Sequence, residues 1–158
     1  KALVKVSTIP KGTRSQAWMG WTSLHDYTIQ ADFLATEKNG RVPDMGLINQ
    51  RYTLDLQGAQ KLQIRSWTPR LELRFAKTIP FEWKANTWYT MKFQSENREG
   101  EVVLRGKVWP RGEAEPEAWS IEAADATPNR NGSPGLFGNA TDSEFYLDNV
   151  QITPNATP

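Results

Sequence analysis

Apolar and polar positions alternate with a period of two along most of this chain. In Tyr27-Thr28-Ile29-Gln30-Ala31-Asp32-Phe33 the odd-numbered members are apolar and the even-numbered ones polar. Successive side chains of a strand point to opposite faces, so the pattern predicts a strand with one face in a core and one in water. Ile48, Tyr52, Leu54 and Leu56, set against Asn49, Arg51, Thr53 and Asp55, read as one further strand. Leu62-Gln63-Ile64-Arg65, Leu71-Glu72-Leu73-Arg74-Phe75 and Tyr89-Thr90-Met91-Lys92-Phe93 repeat the pattern, as do the segments 102–108 and 144–152. No stretch carries an apolar stripe at helical spacing through three turns. Turn chemistry fills the gaps, at Asn39-Gly40, Gln57-Gly58, Arg98-Glu99-Gly100 and the loop from Asn129 to Gly135. Strands in this succession without helices predict an all-β fold of antiparallel sheets, stacked as a sandwich or closed as a barrel.

The composition narrows the function. The 158 residues suit a single domain, with 153–158 as a frayed tail or linker start. Seven tryptophans are far more aromatic surface than a disordered chain carries. A net charge of +1 gives no long-range field for nucleic acid or a membrane surface. With no cysteine, disulfides and thiolate chemistry are excluded. No apolar run approaches the roughly 20 residues of a membrane span, so no membrane insertion is expected. The start at Lys1 reads as that of a mature or excised fragment.

The polar strand faces carry the functional signal. Reading the strands in register puts Asn49, Arg51, Thr53 and Asp55 on one face, then Gln63, Arg65 and Trp67, then Glu72 and Arg74. Thr90, Lys92, Arg105, Lys107 and Trp109 continue the same face. Tryptophan stacks on the C–H faces of sugars, and arginine and amide groups pair with their hydroxyls. The competing reading is a solvated sheet face, where a pair such as Arg65 with Glu72 is worth about 0.2–1 kcal/mol. Trp83, Trp88 and Tyr89 read as core or rim residues. Trp18 and Trp21 either close the sandwich or edge a groove, and the acidic stretch Glu113–Glu117 reads as a solvated loop.

Nucleophilic chemistry finds little support. His25 is the one histidine, and no Gly-x-Ser-x-Gly elbow presents a serine. Phosphate-binding glycine patterns are absent as well. Glycoside hydrolysis needs two carboxyl groups about 5–9.5 Å apart, for which Asp32, Asp55 and Glu72 are the candidates. Oxygen-rich Asn139-Ala140-Thr141-Asp142-Ser143-Glu144, followed by Asp148, suits calcium chemically, and Asx turns explain it equally well.

Several motifs then point to a family. Trp88-Tyr89-Thr90-Met91-Lys92, Leu104-Arg105-Gly106-Lys107-Val108-Trp109, Glu117-Ala118-Trp119, Gly132-Ser133-Pro134-Gly135-Leu136-Phe137-Gly138 and Tyr146-Leu147-Asp148-Asn149-Val150 resemble the concanavalin A-like lectin/glucanase (LamG-like) jelly rolls. They look most like the variety appended to bacterial secreted or periplasmic proteins with PQQ-binding-like β-propellers. The likeness runs from about Trp18 to Asn155. It implies an antiparallel two-sheet β-sandwich with a concave sugar-binding face, a secreted or periplasmic location, and structural calcium near the closing strand with Asp148 in the matching position. Sandwich-fold glucanases carry Glu-x-Asp-x-x-Glu on one strand, and Glu72 has no such neighbours.

The expected function is a non-catalytic carbohydrate-binding module using Asn49, Arg51, Gln63, Arg65, Trp67, Glu72, Arg105 and Trp109. Its expected partners are a glycan and other domains of a larger protein. Glycoside hydrolysis and protein docking are the alternatives. Single-stranded nucleic acid on an Arg- and Trp-bearing sheet is a further one, disfavoured by the near-neutral charge.

Overall fold

The computed structural model describes residues 1–5, 14–140 and 143–156. Among them are twelve strands and no helix: β1 (Leu3–Lys5), β2 (Arg14–Trp18), β3 (Tyr27–Ala35), β4 (Asp44–Asn49), β5 (Tyr52–Gln57), β6 (Lys61–Trp67), β7 (Leu73–Pro80), β8 (Trp88–Asn97), β9 (Val102–Pro110), β10 (Ile121–Asp125), β11 (Gly135–Asn139) and β12 (Phe145–Pro154). They form two antiparallel six-stranded sheets. Sheet I has the order β1-β12-β3-β8-β9-β10, and sheet II the order β2-β11-β4-β5-β6-β7. The fold is therefore the expected two-sheet sandwich of jelly-roll type.

The alternating apolar residues meet between the sheets. Ile29, Ala31 and Phe33 of β3, Met91 and Phe93 of β8, and Val102 and Leu104 of β9 have no exposed surface. From sheet II they face Met45 and Leu47 of β4, Leu54 and Leu56 of β5, and Leu62 and Ile64 of β6, equally buried. Each of these side chains larger than alanine contributes about 1.5–3 kcal/mol by leaving water. Trp83 caps one end, its Nε1 donating to the Gln57 carbonyl at 2.8 Å and its ring edge-on to Tyr89. A Cβ on Gly46 would lie 2.1 Å from the Leu54 carbonyl oxygen, so only glycine lets β4 and β5 approach as they do.

Several sequence expectations change. The segment 48–56 is a hairpin, not one strand, because Gln50 and Arg51 both adopt left-handed conformations, φ 47° and 67°. Two turn residues reset the parity of alternation: Asn49 points inward with Leu47, and Thr53 points outward. Glu72 lies in the β6–β7 turn, where its backbone N–H donates to Thr68 Oγ1 at 3.2 Å. A register shift opposite Ser66 and Trp67 turns Arg74 toward Asp125. Residues 153 and 154 belong to β12, and Asn155 is tied down through its backbone N–H to the Asp26 carbonyl at 2.8 Å and its Nδ2 to the Ser95 carbonyl at 2.7 Å. Glu113–Glu117 is the exposed loop expected of it, anchored to sheet I where Glu115 accepts from both Lys92 and Lys107.

Candidate functional site

The outward face of sheet II is built in rows across the strands. One row runs Trp18, Gly135, Ile48, Thr53, Arg65 and Ala76; the next runs Gln16, Phe137, Gly46, Asp55, Gln63 and Thr78. Small residues at Gly135 and Gly46 leave a low floor. Trp18, half exposed at 52%, and Trp67, 40% exposed, stand at either side. Four strand spacings of about 4.8 Å separate their strands, roughly 19 Å. The groove between them encloses about 390 Å³ and is lined by Arg14, Gln16, Trp18, Ile48, Arg51, Thr53, Arg65, Trp67 and Phe137, with Thr68, Pro69 and Leu71 of the β6–β7 turn. A second recess of about 530 Å³ adjoins it at Trp18 and Arg51 and continues over Thr22, Ser23, Asn131, Gly132 and Ser133.

Beneath the floor lies a buried ion pair. Asp55 has no exposed surface and accepts from Arg65 Nη1 and from Gln57 Nε2, the latter at 3.0 Å. Burial pushes the Asp55 carboxyl up to about 6, with the neighbouring Arg65 charge only partly countering it. Asp55 Oδ1 and Arg65 Nε have no hydrogen-bond partner. The Arg65 guanidinium lies 4.9 Å above the Phe137 ring, and Gln63 spans from Arg65 to Thr78 Oγ1. A raised carboxyl suits a general acid, but a group with no exposed surface cannot pass a proton to a bound substrate.

The rim at Arg51 is held from behind. Arg51 Nη2 donates to Asn129 Oδ1 at 2.7 Å, Asn129 Nδ2 donates to Ser66 Oγ at 2.9 Å, and Ser66 Oγ donates to the Arg51 carbonyl at 3.2 Å. Gln50 is buried, its Nε2 on the Asn129 carbonyl and its Oε1 accepting from the Asp26 N–H and Ser95 Oγ. Tyr52 Oη accepts from the Asn129 N–H and donates to Asp125 Oδ2, which also receives Arg74 Nη2 at 2.6 Å. Burial would raise the Asp125 carboxyl, but the hydrogen bonds from Arg74, Tyr52 and Thr127 outweigh it and hold it at about 2. Two adjacent non-glycine residues at positive φ store strain of order 1–3 kcal/mol each, which this network over-determines.

The structure divides the residues singled out in the sequence. Arg51, Gln63, Arg65 and Trp67 share the outward face of sheet II and its rim. Asn49 does not: its amide ties the sheets together, donating to the Tyr27 and Phe93 carbonyls at 2.8 and 3.0 Å and accepting from Ser95 Oγ. Glu72 is exposed in the β6–β7 turn. Arg105 and Trp109 lie on β9 in sheet I, on the far side of the sandwich. There Arg105 pairs with Glu96 and Glu122, and Trp109 is only 9% exposed. The expectation of a single continuous face fails because alternation identifies a wet face without naming its sheet. Gln16, Trp18, Thr53 and Phe137 complete the groove; the paired tryptophans of Trp18-Met19-Gly20-Trp21, read as a candidate groove edge, were the available signal. Asp32, Asp55 and Glu72 fall respectively on sheet I, sheet II and a turn, so they form no shared catalytic pair.

Asp148 faces outward from β12 opposite Asp32. Arg111 Nε lies 3.2 Å from Asp32 Oδ2 and its Nη1 3.8 Å from Asp148 Oδ2, while Asn149 Nδ2 donates to Asp32 Oδ2 at 2.7 Å. As arranged, the residues do not fit a calcium ion, which takes six to eight oxygens; a guanidinium already neutralises the two carboxylates. No cluster of three or more His, Cys, Asp or Glu suited to a metal occurs among the described residues. Thr141 and Asp142 lie outside the described residues.

A second trough, about 380 Å³, lies on sheet I among Thr28, Gln30, Gln94, Gln151 and Trp119. Its charges are satisfied internally, Glu115 bridging Lys92 and Lys107.

No protein-family model matches the chain, and no curated protein matches it by sequence. Solved structures do match its fold. A galectin of Caenorhabditis elegans superposes with a TM-score of 0.58 at 12% identity, over 89% of this chain and 91% of that one. Sheep galectin-11 in complex with glycerol gives 0.55 at 9% identity, over 92% and 99%. The chain thus has the galectin-type jelly-roll sandwich. No helix among the described residues is long and apolar enough to cross a membrane.

Proposed function

We propose that this domain is a non-catalytic carbohydrate-binding module, holding an oligo- or polysaccharide in the sheet II groove between Trp18 and Trp67. The observation that carries the reading is the groove itself: two exposed indoles flank a low floor, with Arg51, Thr53 and Arg65 in its lining available to sugar hydroxyls. The two structural neighbours named above are galectins, which supports the same reading. The length of the groove suits several sugar units. We further propose a secreted or periplasmic setting, with the module attached to other domains of a larger bacterial protein of the PQQ-binding-like propeller kind; the LamG-like motifs at 132–138 and 146–150 support this. Calcium at Asp148 belongs to the same proposal and requires Arg111 to swing away.

Affinity electrophoresis in polysaccharide gels tests the binding. Trp18→Ala and Trp67→Ala should each weaken retention by about 1–2 kcal/mol, the worth of one stacking contact. Both should unfold like the wild type, since truncating a core tryptophan costs about 3–5 kcal/mol and these two are partly exposed. Normal retention of both variants, in gels that retard the wild type, would remove them from the site.

A further inference from the structure

The ionic character of the groove differs from that of the molecule. Across the chain 19 Lys and Arg offset 18 Asp and Glu. The groove and its adjoining recess are lined by Arg14, Arg51 and Arg65 and by no Asp or Glu. Arg65 is paired with Asp55 in the floor. Arg51 spends its one described hydrogen bond on the neutral Asn129 amide, and neither it nor Arg14 has a carboxylate partner among the described residues. The cations of sheet I behave otherwise: Lys92, Lys107, Arg105 and Arg111 each meet a carboxylate. Two unneutralised guanidinium groups thus lie beside the aromatic residues of the groove, while Arg41, Arg70 and Arg130, also without a carboxylate partner among the described residues, lie outside it.

We propose that the glycan bound here is anionic, a chain bearing carboxylate or sulfate groups, which engages Arg51 and Arg14 while its sugar rings lie against Trp18 and Trp67. The proposal rests on the carbohydrate reading above and names the class of glycan that site selects. A guanidinium presents a planar fork of donors that matches a carboxylate or sulfate two bonds at a time. Neutral sugars need hydrogen-bonding partners but not uncompensated charge. The two unpaired arginines stand at separate points, Arg14 on the edge strand β2 and Arg51 on the β4–β5 turn, which suits an anionic group repeated along a polymer. Exposure of Arg51 at the junction of the two recesses makes it the contact both would share.

Matched polymers isolate the charge. Retention is measured in gels of de-esterified against methyl-esterified polygalacturonate and of dextran sulfate against dextran, at about 50 and about 200 mM salt. The expected result is stronger retention by one or both anionic members, weakened by salt. Which pair responds separates carboxylate from sulfate recognition. Arg51→Gln should lower affinity for the anionic polymer about tenfold, the worth of a charge-assisted contact, at an unchanged melting temperature. Arg51→Lys should retain the salt dependence, which guards against a purely structural effect on the Asn129 tether. Equal retention by charged and neutral members overturns the anionic assignment and leaves the carbohydrate reading standing. Retention on no polysaccharide overturns both. A single-stranded oligonucleotide bound as tightly as the best anionic glycan would also overturn it, since the groove would then read any polyanion.

Discussion

Replacing Asp55 with asparagine separates charge from shape at the floor of the groove. The carboxyl titrates near 6 in the folded chain against 3.8 when unperturbed, chiefly because burial disfavours its ionised form. A folded-state value above the unfolded one means that the native state binds more protons between those limits. Stability therefore falls as pH rises through that window, and the full penalty applies above about pH 6. At 1.36 kcal/mol per pH unit the penalty is about 3 kcal/mol. Asp55→Asn mimics the protonated side chain and removes it. One amide N–H then faces the place where Oδ1 has no partner, which returns about 1–2 kcal/mol. The variant should thus be about 1–2 kcal/mol more stable than the wild type near pH 7.5, and the gap should fall to about zero near pH 5, where the penalty is only about half as large. Urea unfolding followed by tryptophan fluorescence at both pH values measures the difference, and groups common to both proteins cancel. The reasoning is refuted if the variant loses about 3–5 kcal/mol at the higher pH, as expected for breaking a net-favourable buried ion pair, and the gap does not change with pH.

Gly46→Ala should cost more than about 3 kcal/mol or prevent folding, since the added carbon meets backbone at 2.1 Å and β4 and β5 cannot part without opening the floor; a normal melting temperature would show that the strands yield. With Arg111 on Asp32 and Asp148, calcium is expected to leave the melting temperature of the wild type at its EDTA value, and to raise that of Arg111→Ala, in which both carboxylates are freed. Identical melting curves for both proteins with and without calcium would remove the ion from the proposal.

Much of the sandwich was legible in the sequence because period-two alternation has one physical cause, a sheet with one dry face. Tyr27 to Phe33 announces β3 that way, and Leu62 to Arg65 announces β6. The shorter β2 and β11 carry no such signal: Arg14–Trp18 is mostly exposed, and Gly135–Asn139 is built around glycines. Gln63, Arg65 and Trp67 were placed correctly on a common face because they follow one another within a single strand. Position beyond one strand was not legible. A left-handed Gln50–Arg51 turn reverses the parity between β4 and β5, which sends Asn49 inward to tie the sheets and leaves Thr53 and Asp55 outside. Crossing from β7 to β8 changes sheets, so Arg105 and Trp109 keep the right alternation on the wrong side of the molecule. Trp18 and Trp67, 49 positions apart in sequence, flank one groove only because β11 and β4 bring β2 into the same sheet as β6. Local sterics and hydrophobic periodicity fix whether a residue faces water; strand order, set by packing of the whole core, decides which other residues face it there.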